Sequence, residues 1–89
     1  MEQKLCDIVN YHGVNNQIVV WIEEMSELTK ELCKYQRKKH NIFDIKGEIN
    51  DVQICLDQMK LVFKYTAQEQ KQDYDYKVNR ELGRIGKNE

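Results

Sequence analysis

"IVVWIEEMSELTKEL", residues 18–32, decides how this chain folds. Ile18, Trp21, Ile22, Met25, Leu28 and Leu32 recur at steps of three and four, the spacing of one apolar stripe on an α-helix. Between them sit Glu23, Glu24, Glu27 and Glu31, four acids in nine residues. Either these acids face water and are balanced by nearby cations, or something positive sits against them.

The same helical spacing extends in both directions. The sequence holds no proline and four glycines, and is rich in Glu, Lys, Gln and Leu, so the whole chain is expected to be helical. A first helix is expected over about 2–11, broken by "HGVNN" (12–16), with Asn15 or Asn16 capping the second helix. That helix is expected to reach about Lys38, where "KKHN" turns the chain. A third helix starts from Asn41 or Asp44 and places Ile45, Ile49, Val52, Leu56, Met59 and Phe63 on one face. Its register changes at Tyr65, and Thr66 with Glu69 matches a reciprocal capping box that opens a fourth helix from Ala67 to near Gly83. The fold class is therefore all-α, a four-helix bundle whose two long central helices run antiparallel. One domain over 1–89 is expected, with 84–89 a frayed tail.

A chain of 89 residues buries a limited core, and small domains gain stability from oligomerisation, a bound metal or disulfides. Three cysteines, Cys6, Cys33 and Cys55, are an odd number without a close pair, so buried, reduced thiols of a cytoplasmic protein are expected. The two histidines, His12 and His40, are far apart and form no zinc pattern. A net charge of −1 with one third of residues charged gives no electrostatic reason to bind a nucleic-acid backbone. The first residues lack the pattern of a targeting peptide, and no run approaches the roughly 20 apolar residues of a membrane span.

The acids can be placed against the stripe at about 100° per residue, which puts Glu24, Glu27 and Glu31 on one strip roughly 100° to 160° from its centre and Glu23 beyond it. On the third helix Asp44, Glu48, Asp51 and Cys55 follow one edge of the apolar face, with Glu48 and Asp51 one turn apart. A salt-bridged surface would place a cation four residues after each acid. Instead Glu27 follows Glu23, Glu31 follows Glu27, and Glu48 follows Asp44; the other three positions are Leu28, Val52 and Cys55. Each like-charge pair of this kind costs about 0.2–0.5 kcal/mol. A hard divalent cation with oxygen ligands, Mg²⁺ or in its place Mn²⁺, removes the repulsion.

Glu23-Glu24-x-x-Glu27 followed by Glu48-x-x-Asp51, over residues 11–61, resembles the EExxE…ExxD signature of the MazG-like all-α nucleoside triphosphate pyrophosphohydrolases. That superfamily includes the phosphoribosyl-ATP pyrophosphatases and the dimeric dUTPases. The resemblance implies hydrolysis of a nucleoside triphosphate to monophosphate and pyrophosphate, with water attacking the α-phosphorus. It also implies Mg²⁺ held by Glu24, Glu27, Glu48 and Asp51, catalytic roles for Glu23, Glu24 and Glu27, and assembly as a dimer or tetramer.

Lys77, Arg80 and Arg84 form a basic strip on the fourth helix that could meet phosphates, a role the resemblance supports; Lys30, Lys34 and Lys46 are alternatives. Trp21, Tyr11 or His12 could stack on a base and Gln17 or Asn16 could bond its edge, although Trp21 sits on the core stripe. Gly47 either lets a partner helix or ligand approach closely or frays the first turn. Two alternatives stand beside this expectation: a non-catalytic helical module whose acidic patch docks a basic partner, and an enzyme restricted to phosphoribosyl-ATP.

Overall fold

The computed structural model describes residues 1–86. Among them the elements are four helices, α1 (Glu2–His12), α2 (Val14–Gln36), α3 (Ile42–Val62) and α4 (Ala67–Arg84). The all-helical expectation holds, and each boundary falls within about two residues of its expected place. The expected tail lies partly outside the described residues, and Arg84 itself closes α4.

Capping chemistry explains where the helices start and stop. Gly13, at φ 86°, ends α1 by donating its N–H to the Val9 carbonyl and at once starts α2. Neither Asn15 nor Asn16 caps α2, a correction to the expectation. Asn16 lies inside the helix and donates its side-chain amide back to the His12 carbonyl at 2.9 Å. Asn41 caps α3, its side chain accepting from the Phe43 N–H at 2.8 Å. The Thr66/Glu69 capping box forms on both sides as expected.

Both α2 and α3 end in the same six-to-one turn with a lysine in the left-handed conformation. Lys39 N–H reaches the Lys34 carbonyl around Lys38 (φ 59°), and Tyr65 N–H reaches the Lys60 carbonyl around Lys64 (φ 55°).

Packing departs from the expected bundle in two ways. First, α2 and α3 form an antiparallel hairpin with α1 laid against both, while α4 makes no close approach to any of the other three helices. The Cα radius of gyration is 16.1 Å, against about 12 Å for a compact chain of this length. Second, the hairpin interior is not the apolar stripe. Facing inward on α2 are Gln17, Trp21, Glu24, Leu28 and Glu31, again at steps of four and three. Of the expected stripe only Trp21 is buried; Ile18 and Leu28 are half-buried, and Ile22, Met25 and Leu32 are exposed.

On α3 the inward row is Ile45, Glu48, Val52, Cys55 and Gln58, with Met59 beside it. Ile42, Ile49, Leu56 and Phe63, spaced by sevens, stay exposed. Each long helix thus carries two adjacent helical rows, and the hairpin closes on the more polar one. Cys55 is the buried thiol that was expected, whereas Cys6 is half-buried and Cys33 is exposed.

Candidate metal centre

Antiparallel pairing of the two inward rows sets the level of each acid. At one end Trp21 Nε1 and Gln17 Nε2 both donate to Gln58 Oε1, at 2.8 and 3.1 Å, in the most buried part of the molecule. This shared acceptor fixes the register of the hairpin, because a slip of either helix would leave buried donors without a partner. One to two turns further along α2, and two to three turns back along α3, the same register brings Glu24 against Glu48 and Asp51. One carboxylate oxygen from each of the three lies within 4.8 Å of the others.

The three oxygens come from both motifs. Glu24 and Glu48 are half-buried and Asp51 is exposed at the edge of the groove. Glu48 Oε2 is buried without a hydrogen-bond partner. Burial, then the charges of Asp51 and Glu48, holds the Glu24 carboxyl above its ordinary value. Burial and the charges of Asp51, Glu27, Glu31 and Asp44 raise Glu48 likewise. Below them Cys55 is buried, and burial with the fields of Glu24 and Asp51 pushes its thiol up.

These residues fit a hard divalent cation. The donor set is all oxygen, one buried oxygen lacks a donor, and among the described residues no salt bridge reaches Glu24, Glu48 or Asp51. The remaining motif acids, Glu23 and Glu27, are exposed; Glu27 lies near enough to raise both Glu24 and Glu48.

The other expected contacts are not brought to this centre within one chain. Lys77, Arg80 and Arg84 are exposed on α4, with Arg80 over the Tyr76 ring and Arg84 paired to Glu81. Lys34 pairs with Glu31, and Lys30 and Lys46 are exposed. Gln17 and Trp21, considered for base contacts, are interior residues engaged by Gln58, which agrees with the core role expected of Trp21. Tyr11, His12 and Asn16 are exposed around the α1–α2 corner. Gly47 has open space where a side chain would start, so nothing in the single chain presses against it. Gln58 was not singled out from sequence; only its place three residues after Cys55, on the side turned to α2, distinguishes it from the other glutamines.

A surface recess lies elsewhere, between the start of α1, the end of α3 and the start of α4, lined by Leu5, Leu61, Tyr65 and Gln70 among others. With Asp51 exposed and Glu24 and Glu48 half-buried beside it, the acids line a groove that meets solvent. No protein-family model, curated protein or solved structure matches this chain. No described helix is long and apolar enough to cross a membrane.

Proposed function

We propose that this protein is a Mg²⁺-dependent nucleotide pyrophosphohydrolase that cleaves a nucleoside triphosphate to its monophosphate and pyrophosphate. The observation that carries the proposal is the convergence of Glu24, Glu48 and Asp51 within 4.8 Å, because it unites the two acid motifs without a salt bridge to any cation among the described residues. Glu24, Glu48 and Asp51 would hold the ion, with Glu27 at the mouth as a fourth donor. When bound, Mg²⁺ (or Mn²⁺) neutralises and orients phosphate oxygens, the main requirement of phosphoryl chemistry.

The chain's own residues supply the rest. The exposed carboxylate of Glu27, near enough to act on Glu24 and Glu48, can accept the proton of a water attacking the α-phosphorus, and exposed Glu23, next to Glu24 in sequence, is the second candidate base. The Glu24 carboxyl, raised by burial and by the charges of Asp51 and Glu48, is the acid whose charge an ion at the centre would favour most. Lys77, Arg80 and Arg84 are the cations available for the leaving pyrophosphate, and an assembly that brings α4 over the groove would deliver them.

Such an assembly, a dimer or tetramer, is part of the proposal. The exposed rows Ile22–Met25–Leu32 and Ile42–Ile49–Leu56–Phe63 form a broad apolar face on the hairpin, of the kind that marks interaction sites.

The test is a panel of common NTPs and dNTPs, with phosphoribosyl-ATP included, incubated with Mg²⁺ or Mn²⁺ and assayed for pyrophosphate. Metal-dependent pyrophosphate release from the common nucleotides is the expected result. Turnover of phosphoribosyl-ATP alone would narrow the activity to that substrate. No release from any member, with no rise in melting temperature on adding metal, would leave the acidic groove as a docking patch.

A further inference from the structure

Gln58 is 1 % exposed, the most buried of the described residues, and carries no charge. Its Oε1 takes two hydrogen bonds from the facing helix, from Trp21 Nε1 and from Gln17 Nε2. Gln17, itself buried, gives its amide N–H to this bond and is left with its own Oε1 buried and without a donor. Turning the Gln17 amide over would set oxygen against oxygen at Gln58. The interior thus keeps both bonds to Gln58 Oε1 and tolerates an unsatisfied acceptor beside them.

What these bonds oppose lies further along the hairpin. Glu24 on α2 and Glu48 and Asp51 on α3 have oxygens within 4.8 Å of one another, and like charges so close push the two helices apart. Every salt bridge among the described residues lies within a single helix, so none ties α2 to α3. Trp21 stands one turn before Glu24 on α2, and Gln58 stands seven residues after Asp51 on α3, about 10 Å along the helix. Both helices are continuous between these points, so a slip at Gln58 is carried undiminished to the acids.

We infer that Gln58 is a positioning residue of the acid centre: by holding Trp21 and Gln17 it sets the level of α2 against α3 and keeps Glu24 at the spacing from Glu48 and Asp51 that a divalent cation requires. The inference rests on the reading of those acids as a cation site and adds to it a neutral residue two turns away that touches no ion. Outer groups that orient metal ligands are worth 10- to 100-fold in affinity, and a hard ion of strict geometry is sensitive to misplaced oxygens.

The full chain is titrated with Mn²⁺, and free Mn²⁺ is counted by electron paramagnetic resonance, at a temperature where circular dichroism shows each variant folded. Gln58→Met, which keeps the volume and removes the shared acceptor, should weaken Mn²⁺ binding at least tenfold. Gln58→Glu, which keeps an acceptor oxygen in place, should bind no more than about threefold more weakly than wild type. Trp21→Phe, which removes one of the two donors, should fall between them. Val9→Ala removes buried apolar atoms from α1 and leaves the Gln58 bonds alone. It should lower the melting temperature yet change Mn²⁺ affinity by less than about twofold.

If Gln58→Met does not fold, Trp21→Phe carries the test, and wild-type affinity in that folded variant overturns the inference. Wild-type affinity in folded Gln58→Met overturns it too, as does equal loss in Gln58→Met and Gln58→Glu. A loss in Val9→Ala as large as that in Gln58→Met overturns it as a general effect of destabilisation. In each of these cases Mn²⁺ binding by the wild type, lost in Asp51→Asn, leaves the cation site standing. No Mn²⁺ bound by the wild type overturns the cation site and the inference together.

Discussion

At the scale of single residues, the groove carries three carboxylates, Glu24, Glu48 and Asp51, that no salt bridge among the described residues reaches. Replacing Asp51 by Asn removes one of them, so Asp51→Asn is expected to melt higher than wild type without metal. It should also gain little from Mg²⁺ and release no pyrophosphate. Differential scanning fluorimetry with and without Mg²⁺ reads the first two outcomes; a variant that unfolds without metal would contradict the placement of Asp51. In the wild type, ion at 100 times its Kd should add about 2.7 kcal/mol of stability.

The raised carboxyls of Glu24 and Glu48 set the direction of the pH dependence. Between their ordinary value of 4.5 and their raised values the folded chain keeps protons that the unfolded chain has released. Their contribution to stability is therefore fully present below 4.5 and is lost as pH rises through the raised values. The metal-free protein should accordingly melt higher near pH 5 than near pH 7.5, and saturating Mg²⁺ should cancel or reverse the difference. A metal-free melting temperature that rises over the same interval would contradict the crowding of these acids.

At the scale of elements, the two lysines at helix ends and the glycine in α3 offer substitutions whose sign is set by the backbone. Lys38 and Lys64 hold the left-handed conformation, which costs an L-residue about 1–2 kcal/mol relative to glycine's freedom. Lys38→Gly should stabilise the hairpin by up to about 1 kcal/mol, seen as a higher urea midpoint with an unchanged slope. Gly47 sits inside α3 with open space around it, so Gly47→Ala should also add about 1 kcal/mol in the isolated chain. If Gly47→Ala instead weakens self-association, a second copy approaches at that point.

Helix number, the α4 capping box and the Asn41 cap were legible because each depends on neighbours in sequence. The acids of the candidate centre were legible for the same reason, being one turn apart within each motif. The interior row was not. Periodicity tells which residues share a face, not which neighbour covers it, and both rows of α2 satisfy the same helical spacing. What selects the polar row is the bond from Trp21 and Gln17 to Gln58, between residues 37 and 41 positions apart in the chain.

At the scale of the whole molecule, one chain leaves much apolar surface uncovered. Its hairpin leaves a row of large apolar residues in water, Ile49 at 51 % and Phe63 at 64 % exposed, and α4 stands apart. Stability should therefore depend on protein concentration, with the melting temperature rising over a hundredfold concentration series. Ile49→Lys or Leu56→Lys should lower the apparent mass in light scattering while leaving helicity unchanged, since neither side chain is buried in the chain itself. A mass of one chain for the wild type at every concentration would show that the apolar face stays uncovered.

The bond between Trp21 and Gln58 also makes the protein its own optical instrument. Trp21 is the sole tryptophan, 2 % exposed, with its indole N–H held by an interior amide. It lies one turn of α2 before Glu24. Its emission should be blue-shifted in the folded hairpin and move to the red when α2 and α3 separate, free of interference from any other indole. Because the reporter is fixed to the helix that carries Glu24 and Glu31, unlabelled protein can be followed by fluorescence alone during metal titration, folding and assembly.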